Sequence, residues 1–470
     1  MKLLCHLCHR LLDFRQSEVE SVAELMGCEE AGFPGGVAWD LPFGGHPESP
    51  FWYTELPDEQ TAAKIASRAV LVKGFYEVWG EGATWEELST AVKSFDTSRM
   101  VPFLAEGTTF KIEVDTWGHT FSHERTMACI DSLTKIVTFK GKVNLKNPQH
   151  VFTLIHSPDP AEGTNNGLPS DLVPERWYFG RQVSVSDRSI INRYDLSKRD
   201  YIGTTSMDPE LAIIMCNCGK VKSGDLVYDP FVGTGGILVA ATHYGGVTLG
   251  MDIDIRVVSF GRKNKGKAVN IYSNFQQYKL SDPAGLLRAD THRPPFRKDF
   301  TEWIDAIVCD PPYGVRESAR KSEYKETKID DRKDNYIPST QPYFLGECLY
   351  DLVEFAAKAL RVGGRLVFWM PSAPGLYEET ELPLHPVMRL MHNCEQHLSS
   401  RYTRRMLVMQ KMRPLDSEAA ETWEQQRGDA IMKINIIPKR VFEVLEKDEE
   451  GNPSHPEWLT QRRPFRGKYV

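Results

Sequence analysis

Two kinds of hydrophobic patterning divide the chain. Up to about residue 185, short apolar runs alternate with Gly/Pro-rich breaks such as Gly32-Phe33-Pro34-Gly35-Gly36 and Gly44-Gly45-His46-Pro47. Ala62 to Gly74 reads as a helix running into a strand, Ala69-Val70-Leu71-Val72. TFKIEVD, residues 109–115, alternates as a half-buried strand does. GKVNLKNPQHVFTLI, residues 141–155, predicts two short extended segments with a turn at Asn147-Pro148. These elements make residues 1–185 an α+β region. A polar, Pro-containing stretch at 157–176 interrupts it, and a charged connector at 186–200 ends it.

From Tyr201 the pattern becomes α/β. Asp208-Pro209 is an N-cap followed by proline at the first helical position, and Leu211, Ile214, Met215 and Cys218 form one apolar helix face. Asp225–Tyr228 is a strand ending in Asp229. A glycine turn and a helix, Ile237 to Tyr244, follow it. Further strands are predicted at Val247–Met251, Gly285–Ala289, 304–309 and Arg365–Met370, with a helix at 344–360 closed by Gly363-Gly364. Two more β-like runs, 392–398 and 404–410, form an antiparallel end. Strand–helix alternation with acids at strand C-termini is the doubly wound class, whose ligands sit beyond those ends. This domain spans 201–415, and residues 416–470 read as a charged, irregular extension.

The net charge is −7, which argues against a uniformly basic nucleic-acid binder. The charge is uneven. Residues 16–63 carry ten acids and no Lys or Arg, whereas 255–298 carry ten Lys/Arg and two acids. Such a stripe is either a solvated face or a phosphate-contacting one. Nine scattered cysteines, with no signal segment and no apolar run long enough to span a bilayer, predict a soluble protein of a reducing compartment. The cytoplasm is the expected location. Cys5-His6-Leu7-Cys8-His9 resembles half a zinc site, but no second CxxC accompanies it, so no metal is expected.

The chemistry lies at the strand ends. Asp229-Pro230-Phe231-Val232-Gly233-Thr234-Gly235-Gly236 puts glycines where backbone must come close to a ligand. Position 238 is Leu, so the dinucleotide fingerprint fails, and the P-loop's GK[ST] is absent. Asp252 ends the next strand, where a carboxylate can accept ribose hydroxyls, and Asp290 ends the third, where an acid can take an adenine amine. Any one of these acids alone reads more readily as a solvated loop acid. Three in succession read as parts of one adenosine-containing site. CDPPYG, residues 309–314, ends the fourth strand. Each proline extends the residue before it and offers no N–H. The corner therefore presents acceptors, the Asp310 carboxylate and the Pro311 carbonyl, beside the ring of Tyr313. That combination suits a planar group carrying an NH₂.

These motifs resemble those of Rossmann-like class I S-adenosylmethionine-dependent methyltransferases that methylate amines. RDYIGTTSMDPELAIIM (199–215), GDLVYDPFVGTGGILVAATHYGG (224–246), GMDID (250–254) and DAIVCDPPYGVRESARK (305–321) narrow the resemblance to the catalytic subunit of tRNA (guanine-10-N2)-methyltransferases. FWYTELPDEQTAAKIASRAVLVKGFYEVWG (51–80) and GKVNLKNPQHVFTL (141–154) are similar to that family's N-terminal half, a ferredoxin-like and THUMP RNA-binding region. The resemblance implies S-adenosyl-L-methionine as cofactor. Asp229, Phe231, Gly233 and Gly235 would line its methionine side, with Asp252 at the ribose and Asp290 at the adenine. Asp310, Pro311, Pro312 and Tyr313 would hold the guanine, and Arg316, Arg320 and Lys321 would meet RNA phosphates. It also implies tRNA as substrate and a heterodimer with a small zinc-binding activator, docked on the edge strand near Leu286–Ala289. An adenine-N6 methyltransferase on DNA or other RNA, and a catalytically silent RNA-binding scaffold, are the alternatives.

Overall fold

The structure, a computed structural model, describes all residues except 29–36, 43–44, 46, 158–174, 265, 314–319, 323–339, 373, 376, 400–401 and 443–470. It comprises two compact units, Met1–Asp187 and Arg188–Val470.

The first unit runs β1 (Lys2–Leu7), α1 (Phe14–Leu25), β2 (Ala38–Asp40), β3 (Phe51–Glu55), α2 (Glu59–Ala66), β4 (Val72–Gly82), α3 (Trp85–Ser94) and α4 (Thr97–Leu104). It continues through β5 (Thr109–Thr116), α5 (His123–Ile136), β6 (Lys142–Val143), β7 (His150–Ser157) and β8 (Arg176–Val185). The strands form one sheet, β2-β3-β1-β4-β8-β7-β5-β6. It is antiparallel except that β5 runs parallel to both β7 and β6. The turn at Asn147-Pro148 separates β6 from β7, as the sequence predicts. In β5, however, only Phe110 is fully buried, because its outer neighbour β6 is too short to cover it.

Two features of this unit give the unusual N-terminal sequence a structural meaning. Glu18, in the acidic stretch, is buried, and its two carboxylate oxygens accept the Val70 and Leu71 N–H groups at 3.0 and 2.8 Å. A buried carboxylate is tolerable when its oxygens are satisfied in this way. Within β1, Cys5 packs in an apolar core. His6 points to the other face, with Nδ1 3.3 Å from Asp115. Neighbours on a strand face opposite ways, so these two donors do not converge.

The second unit begins with α6 (Ser189–Arg193), α7 (Pro209–Cys218), β9 (Leu226–Asp229), α8 (Gly236–His243), β10 (Val247–Asp252), the hairpin β11 (Arg262–Asn264) and β12 (Lys267–Val269), and α9 (Ile271–Tyr278). It continues with β13 (Gly285–Arg288), β14 (Ile304–Cys309), the short pair β15 (Arg320–Ser322) and β16 (Thr340–Pro342), and α10 (Leu345–Ala359). It ends with β17 (Leu360–Ser372), β18 (Met388–His397), β19 (Thr403–Lys411) and α11 (Ser417–Phe442). Its main sheet is β13-β10-β9-β14-β17-β19-β18. The first five strands are parallel, and β19 and β18 close the sheet antiparallel. The chain order reverses between β9 and β14, so Asp229 and Asp310 follow adjacent strands at the switch point. Ligands of such sheets bind there.

Three expectations change in detail. Asp208 caps α7 as read, accepting from Glu210 and Leu211, but all ten helix residues are buried. A single apolar face was expected; Trp369 Nε1 against Met215 Sδ, at 3.1 Å, shows how closely β17 packs on it. Gly363-Gly364 lie within β17, where pairing with β14 shifts register. They form an irregularity in the strand, and the helix ends earlier, at Ala359. The largest correction concerns the tail: Ser417–Phe442 is a long helix, not an irregular extension. Ala419, Trp423, Ile434 and Ile437 are buried on one side of it. Trp423 stacks on Tyr350 of α10 with centroids 4.5 Å apart and planes 9° from parallel. The many charges on its outer face had diluted that pattern.

Candidate active site

The glycine loop after β9 is built to hold an acid beneath open backbone. Asp229 is 1% exposed. Its Oδ1 accepts the Phe231 N–H at 2.9 Å, while Oδ2 has no partner among the described residues. Burial pushes this carboxyl well above the usual range. The Phe231 N–H opposes the shift, and Asp252 and Asp310 add to it. Gly233 and Gly235 take φ of +46° and +79°, conformations that disfavour a side chain. A Cβ on Gly235 would also meet Ile271 Cγ2 at 2.8 Å. Gly235 is the N-cap of α8.

The next two acids tie neighbouring loops to this one. Asp252 Oδ2 accepts the Gly233 N–H at 3.1 Å, and Oδ1 accepts the Asp254 N–H at 2.9 Å. Asp290 is buried after β13. Its oxygens accept the His292 N–H at 3.0 Å and the Ser322 N–H at 2.6 Å, which fastens β15 to the site. Phe231 packs against Tyr343 and Cys348 at the head of α10. Tyr343 donates to Asp351 Oδ2 at 2.6 Å, and His292 Nδ1 donates to the same oxygen at 2.7 Å. Tyr343, Asp351 and His292 carry no motif and escape sequence reading.

The Asp310 corner holds two surprises. Tyr313, expected as a ring, also uses its hydroxyl: it donates to Asp310 Oδ1. Burial and the adjacent Asp310 hold that phenol far above its ordinary range, so it stays a donor. On the other side, Arg404 Nη1 lies 3.5 Å from Asp310 Oδ2. Arg404 comes from β19. Its guanidinium lies 3.9 Å over the Trp369 ring, and its Nε donates to Gln396 at 2.7 Å. Pro311 is buried, and Pro312 is partly so.

The expected RNA-contacting cations fare unequally. Arg316 lies outside the described residues. Arg320 is exposed on β15, with Nε and Nη2 donating to Thr340 of the paired β16. Lys321 pairs with Glu347 at 2.9 Å and is only 14% exposed.

Two family models match the chain. One, described as the Tmrp11 THUMP N-terminal domain, covers residues 1–188, and an RMKL-like methyltransferase domain covers 197–326. The chain is 39% identical over 419 residues to the Mus musculus tRNA (guanine(10)-N(2))-methyltransferase TRMT11, covering 86% of this chain and 87% of that one. It is 36% identical to the Saccharomyces cerevisiae tRNA (guanine(10)-N(2))-methyltransferase, covering 87% and 92%. The chain belongs to the tRNA (guanine(10)-N(2))-methyltransferase family. In this family member Asp229, Asp252, Asp290 and Asp310 all fall within the span matched as a methyltransferase domain, whereas Tyr343, Asp351, Trp369 and Arg404 lie beyond it. Among the described residues no helix is long and apolar enough to cross a membrane.

Proposed function

We propose that this chain transfers a methyl group from S-adenosyl-L-methionine to the N2 amine of guanosine at position 10 of tRNA. Family membership supports the reaction. The observation that carries the mechanism is Asp310, held at the end of β14 between the Tyr313 hydroxyl and the Arg404 guanidinium.

The residues fit a cationic amino-acid nucleoside. Asp229 Oδ2 is a buried acceptor in want of a donor, beside glycines that leave backbone room and two further acids at the adjoining strand ends. When bound, S-adenosyl-L-methionine supplies an electrophilic methyl on a sulfonium. Asp229 and the Gly233–Gly235 loop would hold its amino-acid side, Asp252 the ribose hydroxyls and Asp290 the adenine amine.

Guanine's exocyclic amine is a poor nucleophile because its lone pair is shared with the ring. Asp310 and the Pro311 carbonyl accept its two hydrogens and turn the lone pair toward the methyl. As positive charge grows on the nitrogen, the Asp310 carboxylate opposes it, a stabilisation that is largest in the transition state. Asp310 then takes the proton the methylated amine sheds. Holding the reacting atoms in line contributes through proximity. The Tyr313 ring meets the base, which must leave its stack at a cost of roughly a few kcal/mol.

Two further parts complete the proposal. The THUMP region, with Arg316 and Arg320, engages tRNA phosphates, and Lys321 serves through its ion pair with Glu347. A small zinc-binding activator pairs along β13, making a cytoplasmic heterodimer. β13 is hydrogen-bonded to β10 on one side and, among the described residues, is the last strand of its sheet. Such an open edge is a liability unless covered.

The test is co-expression with the activator, followed by nucleoside mass spectrometry of the modified tRNA. N2-methylguanosine at position 10 is expected; N6-methyladenosine would overturn the reading. Asp310→Ala should lower turnover by about 100-fold or more with cofactor binding retained.

A further inference from the structure

The basic stretch 255–298 reads from sequence as either a solvated face or a phosphate-contacting one. Three of its cations, Arg262, Lys263 and Lys267, lie on the hairpin β11–β12. All three residues are exposed, and none forms an ion pair with a described residue. The chain as a whole carries a net charge of −7. A surface that serves solubility alone mixes the two signs, so unpaired cations gathered on one hairpin call for a partner.

The hairpin is held in a fixed place. An isolated two-stranded ribbon is marginal in water. Here Val269, paired with Arg262, is buried in a core with Ile271 and Phe275. Asn264 Nδ2 donates to the Asp200 carbonyl at 2.8 Å. The turn before the hairpin is unusual. The Gly261 N–H donates to the Arg256 carbonyl at 2.8 Å, an i→i+5 bond that makes Arg256–Phe260 a π-helical turn. Such turns are rare and frequent at functional sites. Gly261 takes φ of +62°, and a Cβ there would collide with the Val269 carbonyl oxygen, so this corner requires glycine. It leaves Phe260 66% exposed, with no ring contact among the described residues.

The position suits a substrate contact. The turn and hairpin follow β10 and Asp252, at the same end of the parallel strands that carries Asp229 and Asp310. β10 is two strands from β14, about 10 Å at the usual strand spacing.

We propose that the β11–β12 hairpin grips the backbone of the tRNA whose guanine enters the Asp310 corner. Arg262, Lys263 and Lys267 neutralise its phosphates, and Phe260 stacks on an unpaired base beside them. The inference rests on the tRNA reading above and adds a contact within the methyltransferase unit. Cations that track a backbone, beside an aromatic on which a base stacks, are the recurring means of holding unpaired nucleic acid. An acidic protein surface would match the cations, but its carboxylates are repelled by the negative face of a ring.

The test measures tRNA affinity of the full-length chain, co-expressed with its activator, by fluorescence anisotropy over about 50–200 mM salt. Combining Arg262→Ala, Lys263→Ala and Lys267→Ala should make the slope of log affinity against log salt shallower by about 2 to 3. S-adenosylmethionine affinity and Tm should match wild type, because the side chains are exposed. Arg262→Lys should keep the slope. Phe260→Ala should weaken tRNA binding roughly 5- to 100-fold with the slope unchanged, and Phe260→Trp should restore it. An unchanged slope in the triple variant would overturn the inference, and so would undiminished binding by Phe260→Ala. Loss of the activator from the triple variant, with the slope unchanged, would reassign the hairpin to that partner and overturn it as well. A wild-type complex that binds no tRNA would instead sink the tRNA reading.

Discussion

Arg404 Nη1 lies 3.5 Å from Asp310 Oδ2, so a strand far along the chain supplies the counter-charge to the proposed catalytic acid. Asp229, Asp252 and Asp310 crowd one end of the sheet, and the first is disfavoured as an anion by its burial and, beyond that, by the other two. Arg404 sets a cation among them, flattened on Trp369 and fastened to Gln396. Arg404→Gln should lower kcat by roughly 10-fold or more, since removing one partner of a half-buried pair strands the remaining charge. The KM for S-adenosylmethionine should stay close to wild type. Arg404→Lys should fall between, because lysine keeps charge but neither the fork nor the stacking. Steady-state kinetics of the three proteins decide it; equal loss in kcat and cofactor KM would argue against a role confined to Asp310.

Tyr313 carries two separable roles, a ring and a hydroxyl. Tyr313→Phe keeps the ring and removes the hydroxyl's contacts with Asp310 Oδ1 and Arg404. That should cost about 3- to 10-fold in kcat, the size of one hydrogen bond. Tyr313→Ala removes the ring as well and should raise the KM for tRNA besides. If the Phe variant matches wild type, the hydroxyl does not orient the acid.

The pH dependence of stability should reveal Asp229. An aspartate in the unfolded chain ionises near about pH 4, whereas burial holds folded Asp229 protonated to higher pH. Between those values the folded chain keeps a proton that the unfolded chain has released, so stability falls as pH rises. Asp229→Asn removes this penalty. The Tm of the variant minus that of the wild type, without cofactor, should be more positive at about pH 8 than at about pH 4. A difference that does not change with pH would rule out this titration.

The C-terminal helix should matter for stability. Trp423 is nearly fully buried and stacked on Tyr350, whose hydroxyl donates to the Trp423 carbonyl at 3.0 Å. Trp423→Ala should cost about 3–5 kcal/mol, as large core truncations do. Asn435 Oδ1 accepts the Gly346 N–H at 2.8 Å, acting as a cap supplied from another helix. Asn435→Ala should cost about 1 kcal/mol. Urea denaturation measures both, and a cost below about 1 kcal/mol for the tryptophan would contradict the packing described.

The site was legible in the sequence where its logic is local. Asp229, Asp252, Asp290 and Asp310 each follow an apolar run that ends at the same edge of the sheet, so strand period and position sufficed. Arg404 was not legible, because only the antiparallel return of β19 beside β17 brings it to Asp310. The same holds for Asp351, which gathers Tyr343 and His292 from separate segments. The Tyr313 hydroxyl was missed for another reason: its motif explains the ring without needing the oxygen. In α11 the buried positions follow helical spacing, yet the charges between them outnumber them.

The contact between Asn435 and Gly346 bears on how the protein is made. Gly346 stands at the head of α10, three residues after Tyr343, and the N–H it offers is met from the last helix described. A chain still emerging from the ribosome has its strand-end acids in place well before that helix exists. The head of α10 gains that acceptor only once α11 has been made, so a product truncated before Asn435 would carry every strand-end motif and still lack this bond.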